Sequence, residues 1–298
     1  MDKMCGVCGV YNFNKQAINL KILQSINAKL EKRGPDSGGI FNDKYVGLGN
    51  RRLKIIDFEG GNQPFYNEKR DIVLVYNGEI YNYLELKQEL EVLGHQFKSK
   101  SDTEVLLKMY EAFGEKMLEK INGMFALAFY DRHSSKLLCA RDRFGIKPLC
   151  FTHNQNGLYI ASEAKAIFAM GVKAAWDEYA FIHSCNLQYT PTDRSLFKGV
   201  SQLKPGHMMV YDNEALNITK YWDINFPTEP VTPQRSDEEY IAAFREEFEQ
   251  SIDIPTTIIP KISNSHIDTL NFKPKLVDRK KITEKLIQAI NEINSLSN

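Results

Sequence analysis

The sequence predicts an α+β fold in which sheets and helices form separate layers. Short β-rich or alternating segments, bounded by Gly, Asn and Asp, recur through the first two-thirds of the 298 residues. Amphipathic helical segments lie between groups of these β-rich segments and do not alternate with them one for one. Strict alternation is typical of a doubly wound parallel sheet, so the clustering favours the layered α+β class.

Six strands and four helices carry this prediction. Strands are expected at residues 7–13, 72–76, 125–130, 136–140, 158–162 and 208–211. Helices are expected at residues 18–32, 83–93 and 103–113, where apolar residues recur at three- and four-residue spacing. A fourth helix is expected at residues 237–252, with an apolar face formed by Tyr240, Ile241, Phe244, Phe248 and Ile252.

A change of composition near Pro227 divides the chain. Three prolines and several polar residues precede the helix at 237–252, which predicts a linker and the first helix of another domain. Residues 253–298 form a tail whose first half has no clean period and whose end carries one amphipathic helix, at 281–297. A segment of this length cannot close a core of its own, so the tail is expected to be partly disordered. The main domain is expected at residues 5–226.

The overall charge argues against two classes of partner. The chain has 38 basic and 38 acidic residues, so no global field draws it to nucleic acid or to an anionic membrane. No signal-peptide pattern and no run of about 18 apolar residues is present in the sequence. The sequence therefore predicts a soluble, cytoplasmic protein. The five cysteines are scattered, which favours free thiols over a disulfide framework.

Cys5 is the most informative residue near the N-terminus, because Met4 precedes it. Removal of a methionine at this position would leave Cys5 with a free thiol and a free α-amine, and the amine can act as the general base for the thiol. Met1 precedes the bulky Asp2 and is a poor substrate for methionine removal, so Met4 is expected to be the functional start. The alternative is that Cys5 is a small buried hydrophobic residue.

Ten short motifs occur in one order across about 200 residues. They are CGVCGV (5–10), KRGPDSGG (32–39), NRRLKIID (50–57), GNQPF (61–65), YNGEIYNY (76–83), SDTEV (101–105), INGMFALAFYD (121–131), RDRFGIKPL (141–149), ASEAKAI (161–167) and LKPGH (203–207). This set resembles the class II glutamine amidotransferases, and within them the glutaminase half of glutamine-hydrolysing asparagine synthetases. The resemblance implies a four-layer αββα N-terminal-nucleophile hydrolase sandwich, with two largely antiparallel sheets and Cys5 at the end of the first strand.

The resemblance implies that Cys5 attacks the side-chain amide of glutamine and forms a thioester. Such an attack creates an oxyanion that needs preorganised hydrogen-bond donors. Asn77 and Gly78 match the family's donors, one through its side-chain amide and the other through its backbone N–H. A glycine at this position also permits a close approach and unusual dihedral angles. The alternative for this pair is a hairpin turn, which Asn-Gly strongly favours.

The resemblance also implies how free glutamine is held. Arg52 matches the clamp on the substrate α-carboxylate, a role that suits a guanidinium, and its alternative is a surface arginine. Glu79 and Asp102 match the carboxylates that receive the α-ammonium group. Arg33 is expected to pack near Cys5 and shape the pocket, and a purely structural role is equally compatible with the sequence.

A CxxC formed by Cys5 and Cys8 offers a further alternative, a zinc site or a redox pair. No second CxxC or HxxxH completes a zinc site, and the six histidines show no metal spacing, so no metal is expected. Cys8 falls where the family commonly has a small apolar residue, which favours a place in the core.

The resemblance ends after Ile252. An SGGxDS loop, which cradles pyrophosphate in complete asparagine synthetases, does not occur in the sequence, nor does GxxxxGK. No cofactor is therefore expected in this chain, since ATP and Mg²⁺ would belong to a missing synthetase domain. The ammonia would serve a separate synthetase chain, or the chain would self-associate through the 237–252 helix. The acceptor, aspartate or another carboxylate, stays open. A non-catalytic glutamine-binding or scaffold protein and a truncated gene product are the alternatives.

Overall fold

The computed structural model describes residues 4–53, 61–226 and 236–258. The strands in these ranges are β1 (Gly6–Asn12), β2 (Ser37–Asp43), β3 (Val46–Arg52), β4 (Phe65–Tyr66), β5 (Ile72–Ile80), β6 (Gly123–Asp131), β7 (Lys136–Arg141), β8 (Cys150–Asn154), β9 (Gly157–Ala161), β10 (Ser201–Gln202), β11 (His207–Asp212) and β12 (Ala215–Lys220). The helices are α1 (Leu20–Ala28), α2 (Tyr83–Val92), α3 (Asp102–Phe113), α4 (Met117–Lys120), α5 (Ala164–Phe168), α6 (Glu178–Leu187) and α7 (Asp237–Ile258). None of these helices is long and apolar enough to cross a membrane.

The strands form two six-stranded sheets in which neighbouring strands are antiparallel. The first sheet has the order β10-β8-β9-β1-β3-β2, and the second has the order β12-β11-β7-β6-β5-β4. Side chains from both sheets share one buried core, in which Val7 and Leu48 of the first sheet meet Val75 and Ala128 of the second. The two sheets therefore pack face to face.

Helices cover the outer face of each sheet. Ile26 and Leu30, at α1 and just after it, pack with Cys8 on the first sheet, in a cluster that also includes residues of α5. On the second sheet, Leu86 of α2 and Leu106 of α3 pack in a cluster with strand residues and with α4. The order of layers is helix, sheet, sheet, helix, which confirms the α+β class and the four-layer sandwich.

Alternation along β1 separates the two faces of the first sheet. Val7 and Tyr11 lie in the core between the sheets, whereas Cys8 and Val10 lie in the core beneath α1. Cys5 directly precedes β1, as the resemblance implies. On the second sheet, β5 carries Tyr76 into the core beneath the helices and Val75 into the core between the sheets.

The predicted elements are present with changed limits. Each of the six predicted strands overlaps an observed one, and the strand predicted at 72–76 continues to Ile80 as β5. The helix predicted at 18–32 is shorter, Leu20–Ala28, and α7 extends the helix predicted at 237–252 as far as Ile258. The strands β2, β3, β4, β8, β10 and β12 and the helices α4, α5 and α6 were not predicted. The predicted terminal helix at 281–297 lies outside the described residues, and the domain limits stay predictions.

Candidate active site

A cleft beside Cys5 brings together side chains from widely separated parts of the sequence. Five of its residues, Cys5, Arg52, Gly78, Glu79 and Asp102, are candidates from the sequence analysis. They come from the start of β1, the end of β3, the second half of β5 and the first turn of α3. The remaining lining residues are Leu53, Gly61, Gln63, Tyr76, Ser101 and Thr103.

Main-chain groups and Arg33 hold Cys5 in place. The backbone N–H of Leu53 lies 3.3 Å from the Cys5 Sγ, and the Leu53 carbonyl oxygen lies 3.5 Å from the same sulfur. Arg33 donates from Nε to the Cys5 carbonyl oxygen at 3.0 Å. Its Nη1 pairs with Glu163 at 3.2 Å. Arg33 thus contacts the main chain of the candidate nucleophile, as expected, although it is not among the residues that line the cleft.

The thiol of Cys5 is not a free thiolate in this environment. Burial raises its pKa above the ordinary value for cysteine, while the Leu53 backbone bond and the positive charges of Arg52 and Lys147 act in the opposite direction. Asp102 raises the pKa slightly further. A base is therefore needed to remove the proton before the sulfur can attack a carbonyl carbon.

Cys8 does not share the cleft with Cys5. It is fully buried in the core beneath α1, where its Sγ lies 3.8 Å from Asn27 Oδ1. Burial raises its pKa to about 12. All five cysteines have free thiols, as predicted. The core interpretation of Cys8 therefore fits the structure.

Asn77 and Gly78 lie inside a strand and not in a turn. They face Ala126 and Phe125 of β6 in the middle of the antiparallel ladder. The hairpin alternative is therefore wrong. A Cβ atom on Gly78 would lie 2.1 Å from the Met124 carbonyl oxygen, so the close approach of β6 requires glycine here. Gly78 does not have a positive φ, and the unusual dihedral angle considered for it is not found.

The side chain of Asn77 has an unused hydrogen-bond donor. It is 2% exposed, and its Nδ2 has no hydrogen-bond partner among the described residues. The backbone of the preceding residue is fixed on both sides, since Tyr76 donates its N–H to Gln63 Oε1 at 2.6 Å and accepts at its carbonyl from Asn50 Nδ2 at 3.2 Å. Buried donors are nearly always paired in folded proteins, so this exception marks a position suited to an external acceptor.

Arg52 is a buried arginine at the end of β3. It is 6% exposed and donates from Nη1 to Asn62 Oδ1 at 3.3 Å. The surface alternative is wrong for Arg52. Its neighbour Arg51 has a different environment, because it pairs with the exposed Glu31 at 2.9 Å. Strand alternation thus sends two adjacent arginines to opposite sides of the sheet.

Two carboxylates complete the charge pattern of the cleft. Asp102 Oδ2 accepts hydrogen bonds from the Tyr76 hydroxyl at 2.9 Å and from the Ile80 N–H at 3.2 Å. Burial raises the pKa of both Asp102 and Glu79 above the ordinary values. One guanidinium and two carboxylates around one cleft form a pattern that complements an α-amino acid, which carries a carboxylate and an ammonium group.

Several residues that support this cleft were not predicted to have a role. Asn50, Gln63 and Lys147 all lie within the matched motifs, but none was singled out. Asn50 and Gln63 fix the backbone of the residue before Asn77. Lys147 is a buried lysine that interacts electrostatically with both Cys5 and Glu79. A lysine between Ile146 and Pro148 in a loop gives no periodic signal that predicts burial.

Comparison with known proteins identifies the family. A family model described as a glutamine amidotransferase domain matches residues 4–222. The chain is 37% identical over 226 residues to asparagine synthetase (glutamine-hydrolyzing) 3 of Bacillus subtilis, an alignment that covers 74% of this chain and 37% of that protein. It is 35% identical over 255 residues to asparagine synthetase (glutamine-hydrolyzing) 1 of the same organism, covering 84% of this chain and 40% of that protein.

A solved structure supports the fold alone. Glutamine phosphoribosylpyrophosphate amidotransferase from Bacillus subtilis, complexed with ADP and GMP, superimposes with a TM-score of 0.55 at 21% identity. The match covers 73% of this chain and 49% of that one. The four-layer order and the ten ordered motifs agree with these matches. The chain belongs to the glutamine amidotransferase domain family, and within it to the class II domains of the asparagine synthetase type.

Proposed function

We propose that this chain hydrolyses L-glutamine to glutamate and ammonia, with Cys5 as the nucleophile. One observation carries the proposal: a cysteine thiol, an arginine and two carboxylates from separate elements line a single cleft. Arg52 would bind the α-carboxylate of glutamine, and Glu79 and Asp102 would bind its α-ammonium group. This placement directs the side-chain amide of glutamine toward Cys5.

The chemistry requires that residues 1–4 be removed. The free α-amine of Cys5 would then accept the thiol proton, and the sulfur would form a bond to the amide carbon of glutamine. Collapse of the tetrahedral intermediate expels the amide nitrogen, which leaves as ammonia after it receives that proton. Water then attacks the thioester, which releases glutamate and restores the thiol.

Asn77 and Gly78 would stabilise the oxyanion in both tetrahedral intermediates. The unpaired Nδ2 of Asn77 is the observation that supports this role, because a buried donor without a partner is preorganised for a negative oxygen. The backbone N–H of Gly78 would be the second donor. Arg33, which bonds to the Cys5 carbonyl oxygen, would hold the nucleophile in position.

The ammonia would be consumed outside the described cleft. The chain spans 37% and 40% of the length of the two asparagine synthetases. Amidation of the acceptor, aspartate or another carboxylate, and its activation by ATP and Mg²⁺ would take place at a synthetase site outside the residues described. No cofactor is needed for the glutamine hydrolysis proposed for this chain. The neutral charge balance argues against a nucleic acid or membrane partner.

Helix α7 is the surface proposed for a synthetase partner or for self-association. Tyr240, Ile241, Phe244 and Phe248 are all exposed on it, and Phe244 stacks on Phe248. Exposed apolar groups of this size favour association. Light scattering of the full chain and of a version ending at Pro227 tests the proposal. Association that disappears with the shorter chain supports it, and two equally soluble monomers contradict it.

The glutaminase proposal is tested with chain expressed from Met4 and from Met1. Mass spectrometry of the N-terminus identifies which product begins at Cys5, and release of glutamate from glutamine measures activity. We expect activity only where Cys5 is the first residue. If the product that begins at Cys5 binds glutamine without hydrolysing it, the chain is a glutamine-binding protein and the catalytic proposal fails. An unprocessed MDKM terminus in the native protein would favour the same alternative.

A further inference from the structure

The loop between β7 and β8 places Lys147 against Met4, the residue that precedes the candidate nucleophile. Its main chain is fixed on both sides, because the Lys147 N–H donates to Asp142 Oδ2 at 2.9 Å and the Lys147 carbonyl accepts from Arg141 Nε at 2.9 Å. Asp142 also accepts from the N–H groups of Phe144 and Ile146, at 3.1 Å and 2.9 Å. The loop therefore holds the Lys147 backbone in one position.

The ammonium group of Lys147 is buried with a weak partner. The residue is 7% exposed, and its Nζ lies 3.3 Å from the Met4 Sδ. A thioether sulfur is a poor acceptor for a cation. Among the described residues, no carboxylate lies within 4.0 Å of this ammonium group. The one close contact belongs to a residue that the proposed processing would remove.

Several charged groups act on Lys147 and Cys5 from the surrounding elements. Glu79 of β5, Cys5 and Asp142 favour the charged form of Lys147, while burial and Arg33 disfavour it, with burial the largest effect. The groups that act on Cys5 are Arg52 of β3, Asp102 of α3 and Lys147 itself. A buried charge that costs free energy and has no ion-pair partner within the described part of the chain points to a functional role.

We propose that Lys147 is a further functional residue of this site, whose buried ammonium is the counter-charge for the Cys5 thiolate. The inference rests on the proposed glutaminase function. When the Cys5 thiol gives its proton to the α-amine, the sulfur becomes negative in a site from which water is largely excluded. Lys147 stabilises this charge without forming a covalent bond, and the same cation disfavours protonation of the neighbouring amine before the reaction.

The pH dependence of Cys5 alkylation tests this role. The full chain, processed to begin at Cys5, is treated with iodoacetamide across pH 5 to 10, and peptide mass spectrometry separates Cys5 from the exposed Cys185. In Lys147→Met we expect the midpoint for Cys5 to rise by about one pH unit. We expect kcat for glutamine at neutral pH to fall about tenfold, with a smaller change in KM. Lys147→Arg keeps the charge and should return both values toward those of the wild type.

A second buried lysine provides the matched control. Lys108 of α3 is 9% exposed, its Nζ lies 4.0 Å from Glu111, and it is not among the main groups that act on Cys5. Lys108→Met should leave the alkylation midpoint and kcat unchanged. Circular dichroism shows whether each variant is folded, and Lys147→Arg serves as the test if Lys147→Met is not.

The outcomes separate this inference from the glutaminase proposal. Alkylation requires a thiolate and no glutamine hydrolysis, so a shifted midpoint supports the role of Lys147 even if the wild type is inactive. An unchanged midpoint in a folded Lys147→Met variant overturns the inference while an active wild type leaves the glutaminase proposal standing. Equal shifts in Lys147→Met and Lys147→Arg would also overturn it, because charge would then not be the cause.

Discussion

Charged side chains near the two ends of β5 differ in their exposure to water. At its start, Arg132 in the β6–β7 turn is 44% exposed by side chain and pairs with Asp43 at 2.8 Å, close to water. At its end, eight residues and ~27 Å away, Arg52, Asp102 and Lys147 are all buried around the cleft. Charges at the turns cost little to hold, whereas those at the cleft cost free energy of desolvation. The difference indicates that the cleft is organised for binding and chemistry and the turns for solubility.

The largest effect should come from Cys5. In Cys5→Ala we expect hydrolysis of glutamine to fall by about 10⁴-fold or more, because the covalent intermediate cannot form. Glutamine binding should change little, since the thiol contributes to the transition state and hardly to ground-state affinity. Glutamate release and calorimetric titration with glutamine measure the two quantities. Loss of binding equal to the loss of activity would contradict this division.

Asn77 should combine a loss of activity with no loss of stability. In Asn77→Ala we expect kcat to fall by about 10²- to 10³-fold, as for removal of an oxyanion donor elsewhere. Its Nδ2 has no partner among the described residues, so removing it breaks no hydrogen bond of that atom in the folded chain. Thermal melting of the variant should match the wild type. A melting temperature lowered in proportion to the lost activity would show that Asn77 acts by stabilising the fold.

Arg52 and Arg51 give the sharpest contrast between adjacent residues. Arg52→Ala should weaken glutamine binding by about 2–4 kcal/mol, because it leaves the substrate carboxylate unpaired. Arg51 pairs with the exposed Glu31 and donates from Nε to the Gly34 carbonyl oxygen at 3.2 Å, so Arg51→Ala should lower stability by about 1–2 kcal/mol and change binding hardly at all. Titration with glutamine measures both. Equal losses in the two variants would refute the proposed clamp.

The raised pKa values of the cleft carboxyls predict how folding stability and glutamine binding change with pH. Burial raises the pKa of Glu79, with Asp102 acting in the same direction and Lys147 in the opposite one. A carboxyl with a raised pKa binds its proton more tightly when folded, so it adds stability as pH falls through the range between its unfolded and folded pKa values. Glutamine binding should weaken as pH falls through the folded value, because the protonated carboxyl no longer attracts the α-ammonium group.

The contribution of Glu79 is isolated by comparison with Glu79→Gln. Thermal melts with and without glutamine, from pH 7 to pH 4, are recorded for both proteins. The difference in stability between them should change in favour of the wild type at lower pH, while the glutamine-induced shift of the wild type declines. If the difference between the two proteins does not vary with pH, Glu79 does not titrate in this range.

The sequence predicted strands with strong alternation better than strands rich in glycine. β1, β5, β6, β7 and β11 were recognised from apolar alternation, whereas β2 and β3 were missed. β2 begins Ser-Gly-Gly, and the glycines of β3, Gly47 and Gly49, fall on the same face of the strand, so the side-chain pattern is weak there. The two glycines of β1, Gly6 and Gly9, fall on opposite faces and leave apolar residues on both. The close packing of β3 against β1 requires glycine at position 49, since a Cβ on Gly49 would lie 2.7 Å from the Cys8 Sγ. Such close contacts between distant residues carry no local signal.

The candidate site was predicted by the matched motifs and refined by the structure. The Asn-Gly sequence alone favoured a turn at Asn77 and Gly78, but pairing with β6 places both residues in a strand. The same chemistry allowed a surface position for Arg52, which the structure shows to be buried. Lys147 was missed because its burial depends on a loop that a hydrogen bond to Asp142 holds in place. Spacing along the sequence does not reveal this bond.

The smallest effect should come from the far end of β5. Arg132 pairs with Asp43 and donates to the Arg70 carbonyl oxygen at 3.1 Å, but the pair is partly exposed and screened by salt. In Arg132→Ala we expect the free energy of unfolding to fall by no more than about 1 kcal/mol, and kcat and KM for glutamine to stay unchanged. Urea unfolding at low and high salt measures the first, with the smaller loss expected at high salt. A loss of activity in this variant would remove the distinction between the two ends, because charge at the turns would then also support the cleft.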